Sequence, residues 1–79
     1  MHPEKPRLSA NQKIVYDIVK QYIAAFHVAP TLQEIANQTD GELNKTEVRT
    51  YLMDVMRKGY LKRKYPNVKG AERNIALVK

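Results

Sequence analysis

Apolar residues recur at three- and four-residue spacing in three stretches of this chain, and a residue that can cap a helix precedes each stretch. Ser9, Thr31 and Asn44 occupy those positions, and each has a glutamine or glutamate three residues later, which is the sequence signature of a capping box. We therefore predict three helices. They run from about Ala10 to Phe26, from Leu32 to about Gln38, and from Lys45 to Lys58.

The apolar faces of these helices mark the candidate core, because residues three and four apart share one side of a helix. The face of the first helix is wide and consists of Ile14, Val15, Ile18, Val19, Tyr22, Ile23 and Phe26. The second helix contributes Leu32, Ile35 and Ala36, and the third contributes Val48, Tyr51, Leu52, Val55 and Met56. Residues 39–41, Thr-Asp-Gly, break the second helix, and we expect Leu43 to be the buried residue of the turn that follows.

The period changes after the third helix, which Gly59 ends. Alternating residues predict strands over about 60–65 and 74–78, joined by a loop in which Gly70 can adopt a positive φ. A short strand would also fit at 27–29. The resulting order of helix, short strand, helix, helix and hairpin predicts a mainly α fold with a small antiparallel β-hairpin. This is the arrangement of a winged helix-turn-helix, with three helices plus a wing.

Charge is unevenly distributed along the chain, which has 79 residues and a formal net charge of +6. Residues 1–43 carry four cations and five anions, a net −1, whereas residues 44–79 carry ten cations and three anions, a net +7. Interspersed charges would serve solubility equally well, so this segregation favours a polyanionic partner. We expect that partner to be double-stranded DNA.

Composition argues against several other classes of protein. The chain has no cysteine for a disulfide or a thiolate metal site, and His2 and His27 lie too far apart in sequence to indicate a metal or catalytic site. We expect neither an enzyme nor a cofactor. No apolar run approaches the roughly 20 residues of a membrane span, so we expect a cytoplasmic protein with no membrane partner. Residues 1–7 should form a flexible arm, and residues 8–79 one domain.

The third helix also has a polar and basic face, opposite its apolar stripe. This face consists of Lys45, Thr46, Arg49, Thr50, Met53 and Arg57. Such a helix suits the DNA major groove, and the Arg49 guanidinium could bond to guanine O6 and N7 together, although a solvated arginine is the alternative. The base-reading candidates are Asn44, Lys45, Thr46, Glu47, Arg49 and Thr50. Asn44 and Glu47 are more simply explained as helix caps, and the threonines could bond phosphate or only face solvent.

A second basic set follows along the predicted hairpin. Its members are Lys58, Lys62, Arg63, Lys64, Lys69 and Arg73. These cations could contact the phosphates of the DNA backbone, which attract lysine and arginine regardless of sequence. The alternative is a charged strand edge that discourages pairing with other chains. The number of cations in the set favours phosphate contact.

Several short segments share their order and spacing with a known family. They are Leu8-Ser9-Ala10-Asn11-Gln12, Pro30-Thr31 followed by Glu34-Ile35-Ala36, Leu52, Arg57-Lys58-Gly59 and Glu72-Arg73-Asn74-Ile75. Together they resemble the DNA-binding domain of LexA-type SOS repressors, over roughly residues 8–78. The resemblance implies a winged helix whose third helix lies in the major groove and whose wing touches the backbone of the same half-site. It also implies repression.

The chain departs from that family in its reading helix and in its length. The family's reading helix resembles Ser-Pro-Asn-Ala-Ala-Glu-Glu, whereas residues 44–50 read Asn-Lys-Thr-Glu-Val-Arg-Thr, so an SOS-box operator does not follow. Such repressors continue into a self-cleaving dimerisation domain, and this chain reaches only Lys79. Either it is an excised or naturally solitary domain, or it acts as a homodimer on a palindromic site or with a protein partner, because one small module makes few base contacts. The competing hypothesis is an interaction module, of phage or plasmid type, that applies its basic face to a host repressor or RNA polymerase.

Overall fold

Three helices and one two-stranded sheet make up the computed structural model, which describes residues 6–67 and 73–78. The elements in chain order are α1 (Ala10–Phe26), α2 (Leu32–Gln38), α3 (Lys45–Arg57), β1 (Leu61–Lys62) and β2 (Ala76–Leu77). The two strands are antiparallel, with Leu61 opposite Leu77. The prediction of a mainly helical fold with a small antiparallel hairpin is confirmed at this level.

Each helix begins with the capping box that the sequence predicts. The side chains of Ser9, Thr31 and Asn44 accept hydrogen bonds from the backbone N–H three residues on, at 3.3, 3.1 and 2.8 Å. The glutamine or glutamate at that position accepts in return from the N–H of the capping residue, at 2.9, 2.8 and 3.1 Å. A side-chain cap stabilises a helix by about 1 kcal/mol, so each helix starts where its own sequence satisfies its free N–H groups.

Gly59 ends α3 and starts the turn into the hairpin, as predicted. Its φ of 89° lies in the left-handed region, which strains any residue that has a Cβ. The N–H of Gly59 donates to the carbonyl of Met56 at 3.0 Å, and that of Tyr60 donates to Val55 at 3.2 Å. These two bonds form a Schellman motif. They connect the hairpin directly to the last turn of α3.

One core joins the three helices to the hairpin, and α3 contributes its predicted face to it. Val48 and Val55 are fully buried, Leu52 is 6% exposed, and Tyr51 and Met56 pack partly buried against them. The other buried apolar residues of the cluster are Val15, Val19, Ala29, Ile35, Ala36, Leu43, Leu61 and Ile75. The predicted burial of Leu43 and of the α3 stripe is therefore confirmed.

A buried threonine, which the sequence pattern does not single out, holds the turn between α2 and α3. The Thr39 hydroxyl donates to the carbonyl of Ala36 at 2.7 Å and accepts from the N–H of Leu43 at 3.1 Å. Asp40 and Gly41 follow with φ values of 54° and 83°, so the predicted break in the helix is confirmed. The side chain of Thr39 thus orients the start of α3 relative to the end of α2.

Two predictions near the end of α1 are wrong. Phe26 was expected to face the core, but it is 61% exposed, and its ring packs against Tyr22 of the same helix with 4.6 Å between centroids. Helical spacing identifies the side of α1 on which Phe26 lies, but not whether the core reaches the last turn. The short strand expected at 27–29 is also absent. His27 instead adopts a left-handed φ of 62° and donates its N–H to Ile23, which ends the helix.

The strands are shorter than the alternation predicts. Among the described residues, the strands comprise Leu61–Lys62 and Ala76–Leu77, and the N–H of Val78 adds a backbone bond to the Tyr60 carbonyl at 3.3 Å. Farther along the hairpin, the side chain of Asn74 bonds to the backbone of Tyr65, as a paired strand would. Its oxygen accepts from the N–H of Tyr65 at 2.6 Å, and its amide nitrogen donates to the Tyr65 carbonyl at 3.1 Å. Gly70 and residues 1–5 of the predicted arm lie outside the described residues.

Candidate nucleic-acid interface

The outward face of α3 presents the side chains that its sequence places there. Six of them are exposed: Lys45, Thr46, Arg49, Thr50, Met53 and Arg57. The division of α3 into a buried stripe and a polar face is therefore confirmed. Which of these side chains read bases stays a prediction.

Three of the base-reading candidates already have partners within α3. Asn44 and Glu47 bond to each other's backbone N–H groups, which confirms the capping explanation for both. The hydroxyl of Thr50 donates to the carbonyl of Thr46 at 3.2 Å. The hydroxyl proton of Thr50 is thus already engaged, although its oxygen can still accept a hydrogen bond.

Lys45 and Arg49 differ from these neighbours, because the side chain of neither forms a hydrogen bond or an ion pair with any residue in the described parts of the chain. A separation of four residues places both side chains on the same side of α3, about one turn apart. Both cations are therefore available to an external anion or acceptor.

The cations at the end of α3 are tied to the rest of the domain. Arg57 forms an ion pair with Asp54 at 3.0 Å, and Lys58 donates to the carbonyl of Arg7 at 2.8 Å and to Gln12 at 2.6 Å. The Gln12 amide also donates to Asp54 at 3.3 Å. Sequence reasoning identifies Gln12 only as a capping partner and misses this second role. Two of the three donors of the Lys58 ammonium are therefore already used within the protein.

Consecutive exposed cations occupy the first strand of the hairpin and its extension. They are Lys62, Arg63 and Lys64. Leu61, which is 2% exposed, anchors their strand in the core. The Lys64 ammonium lies 5.6 Å from the ring centroid of Tyr65, within cation–π range, and the residue is exposed to solvent. Lys69, predicted as a further phosphate contact, lies outside the described residues.

The side chain of Arg73 does not join Lys62, Arg63 and Lys64 but contacts α1 and α2. Its guanidinium forms an ion pair with Glu34 at 2.9 Å, donates to the Ala29 carbonyl at 2.9 Å and reaches the hydroxyl of Tyr22 at 3.3 Å. The backbone N–H of Thr31 and the Arg73 guanidinium lower the pKa of the Glu34 carboxyl from 4.5 to about 2. Glu34 in turn raises the pKa of Arg73. The positive charge of Arg73 is therefore balanced within the protein.

Five of the cations without an anionic partner among the described residues lie on α3 and on the hairpin strand that follows it: Lys45, Arg49, Lys62, Arg63 and Lys64. The others are Arg7, Lys20 of α1 and Lys58, whose ammonium donates to neutral oxygens. The five cations of α3 and the hairpin can bind phosphate groups and donate hydrogen bonds to base edges. In the described ranges, no cluster of three histidine, aspartate or glutamate residues could hold a metal ion. No helix there has the length and apolarity that crossing a membrane requires.

No protein-family model matches the chain, and no curated protein is similar to it at a significant level. The resemblance to LexA-type repressors therefore depends on the short sequence segments quoted above and stays a prediction.

Proposed function

We propose that this protein is a sequence-specific regulator of transcription that binds double-stranded DNA through a winged helix-turn-helix. In this proposal α2, the Thr39 turn and α3 form the helix-turn-helix, and the hairpin of β1 and β2 is the wing. By its resemblance to the LexA-type family, the protein would act as a repressor in the cytoplasm. No cofactor is part of the proposal.

The observation that carries the proposal is the pair of exposed cations without anionic partners on the outward face of α3. The helix packs one face against the core and presents on the other the cations Lys45 and Arg49, whose side chains have no anionic partner among the described residues. With its side chains an α-helix is about 10–12 Å in diameter, which fits a major groove about 12 Å wide, and the thirteen residues of α3 extend over about 20 Å. Arg49 would donate to a guanine, and Lys45 and Thr46 would contact adjacent bases or phosphates.

The hairpin would contribute affinity rather than specificity. Lys62, Arg63 and Lys64 follow α3 after a three-residue turn, so they would meet the backbone of the groove that α3 enters. Lysine and arginine neutralise phosphates regardless of the base sequence and release counterions. A single small domain makes few base contacts, so we expect two copies on a palindromic site, or a protein partner that supplies the remaining affinity.

Selection from a random duplex library, followed by gel shifts at several salt concentrations, tests the proposal. We expect enrichment of one motif and binding that unlabelled single strands do not compete away. The matched control is Arg57→Ala, which also removes an arginine from α3, but one already paired with Asp54. It should preserve the motif, whereas Arg49→Ala should relax it. Failure of the library to yield a motif would contradict sequence-specific binding.

A second candidate function is docking on an acidic protein surface through the same face of α3. Met53, which is 48% exposed within this basic face, favours it, because methionine and arginine are enriched in protein interfaces. The same experiment separates the candidates: an interaction module would bind DNA weakly and without selecting a sequence.

A further inference from the structure

Arg73 combines with Glu34 into a contact that links three separate parts of the fold. One guanidinium nitrogen lies 2.9 Å from the first carboxylate oxygen of Glu34, and the other donates to the second oxygen at 3.1 Å. The guanidinium thus approaches both carboxylate oxygens, one contact being a charge-assisted hydrogen bond and the other an ion pair. Tyr22 donates to the same carboxylate at 3.0 Å, which adds α1 to the contact.

Glu34 serves two purposes at once. It completes the capping box of α2 by accepting from the N–H of Thr31 at 2.8 Å, and it holds the Arg73 guanidinium. Its position is therefore set by the helix start, so the hairpin is attached to the beginning of α2. The side chains of Arg73 and Glu34 are 42% and 34% exposed, which leaves the pair only partly shielded from water.

Arg73 also occupies the place where the hairpin returns to the body of the domain. The next residue, Asn74, is buried and closes the hairpin against Tyr65. The backbone of Arg73 has a φ of 61°, a conformation unfavourable for a residue with a Cβ, which the contacts of its side chain must offset. The turn after α3 thus fixes the position where the basic strand begins, and Arg73 fixes the position of the strand that returns.

We infer that Arg73 is a positioning residue that orients the basic hairpin relative to α2 and α3, and is not one of the phosphate contacts. The inference rests on the proposed DNA binding for its functional consequence, but the anchoring itself can be measured without DNA. It changes the expectation from sequence, which groups Arg73 with the phosphate-binding cations of the hairpin.

The first experiment measures amide hydrogen exchange of the free, full chain. Arg73→Gln should raise exchange at 61–65 by about threefold to tenfold relative to the core of α1, because the bonds that hold the hairpin to α1, Ala29 and α2 are lost. Arg63→Gln is the matched control: it makes the same substitution in the same hairpin, but Arg63 has no polar partner among the described residues. It should leave exchange unchanged.

Two further variants distinguish loss of the Arg73 contacts from a general loss of stability of the domain. Arg73→Lys retains the charge but not the guanidinium that bonds to Glu34, Ala29 and Tyr22 together, and it should still raise hairpin exchange. Glu34→Gln retains an oxygen for the capping box but weakens the pair, and combining it with Arg73→Gln should add little to either alone. Additive effects, or exchange as slow in Arg73→Gln as in the parent, would overturn the anchoring.

The second experiment measures duplex affinity against salt. Arg63→Gln should reduce the slope of log K against log salt by about one, as expected for one lost phosphate contact. Arg73→Gln should weaken binding with the slope unchanged. A slope reduced by about one in Arg73→Gln would overturn the inference and make Arg73 a phosphate contact. If the parent chain bound no DNA, the proposed function would fail, and hydrogen exchange alone would decide the anchoring.

Discussion

Replacement of Leu52 by alanine tests whether α3 is oriented as described, since Leu52 lies at the centre of its buried stripe. The change removes Cγ and both Cδ atoms of a side chain that is 6% exposed. At about 0.8 kcal/mol for each buried carbon, the loss of transfer free energy is about 2.4 kcal/mol. The residual cavity raises the expected destabilisation to about 2–5 kcal/mol.

This loss is large for a chain of 79 residues, whose free energy of unfolding should be about 4–12 kcal/mol at 0.05–0.15 kcal/mol per residue. We expect a loss of 3 kcal/mol to lower Tm by about 12–24 °C. Urea and thermal unfolding followed by circular dichroism measure both quantities. Met53→Ala is the matched control, because it shortens the adjacent, 48% exposed side chain and should cost less than about 1 kcal/mol. Equal losses in the two variants would refute the assignment of faces.

Three further predictions concern the surface. Arg49→Ala should lower the affinity for the selected duplex by about 1–3 kcal/mol and relax preference at one base pair, with Tm unchanged; an unaltered motif would contradict the docking of α3. Replacing Lys62 and Lys64 together by alanine should weaken binding to selected and random duplexes alike and reduce the salt slope by about two; loss of the motif alone would make the hairpin the reader. Glu34 contributes stability above pH 4.5 that is lost as the pH falls towards 2, because its folded pKa is about 2. The Tm difference between the parent and Glu34→Gln should therefore shrink over that interval, and a constant difference would exclude ionisation of Glu34 as its source.

The sequence by itself determined where the helices begin and which face of α3 is buried. Each start depends on a capping box within four consecutive residues, and the end of α3 depends on bonds within the six consecutive residues 55–60. Interactions of this range depend on the local residues alone. The burial of Val48, Leu52 and Val55 follows from helical periodicity for the same reason.

Only the tertiary structure decided which cations are available to a partner. Arg73 and Lys58 resemble the other hairpin cations in sequence, yet their partners Glu34 and Gln12 lie 39 and 46 residues away. Phe26 matches the apolar period of α1 but lies at the surface, because the period does not show how far the core extends. These outcomes depend on how the helices pack against one another, and local sequence patterns carry no record of such distant contacts. The sequence thus determines the elements of the candidate interface, and the packing determines which of its charges face outward unpaired.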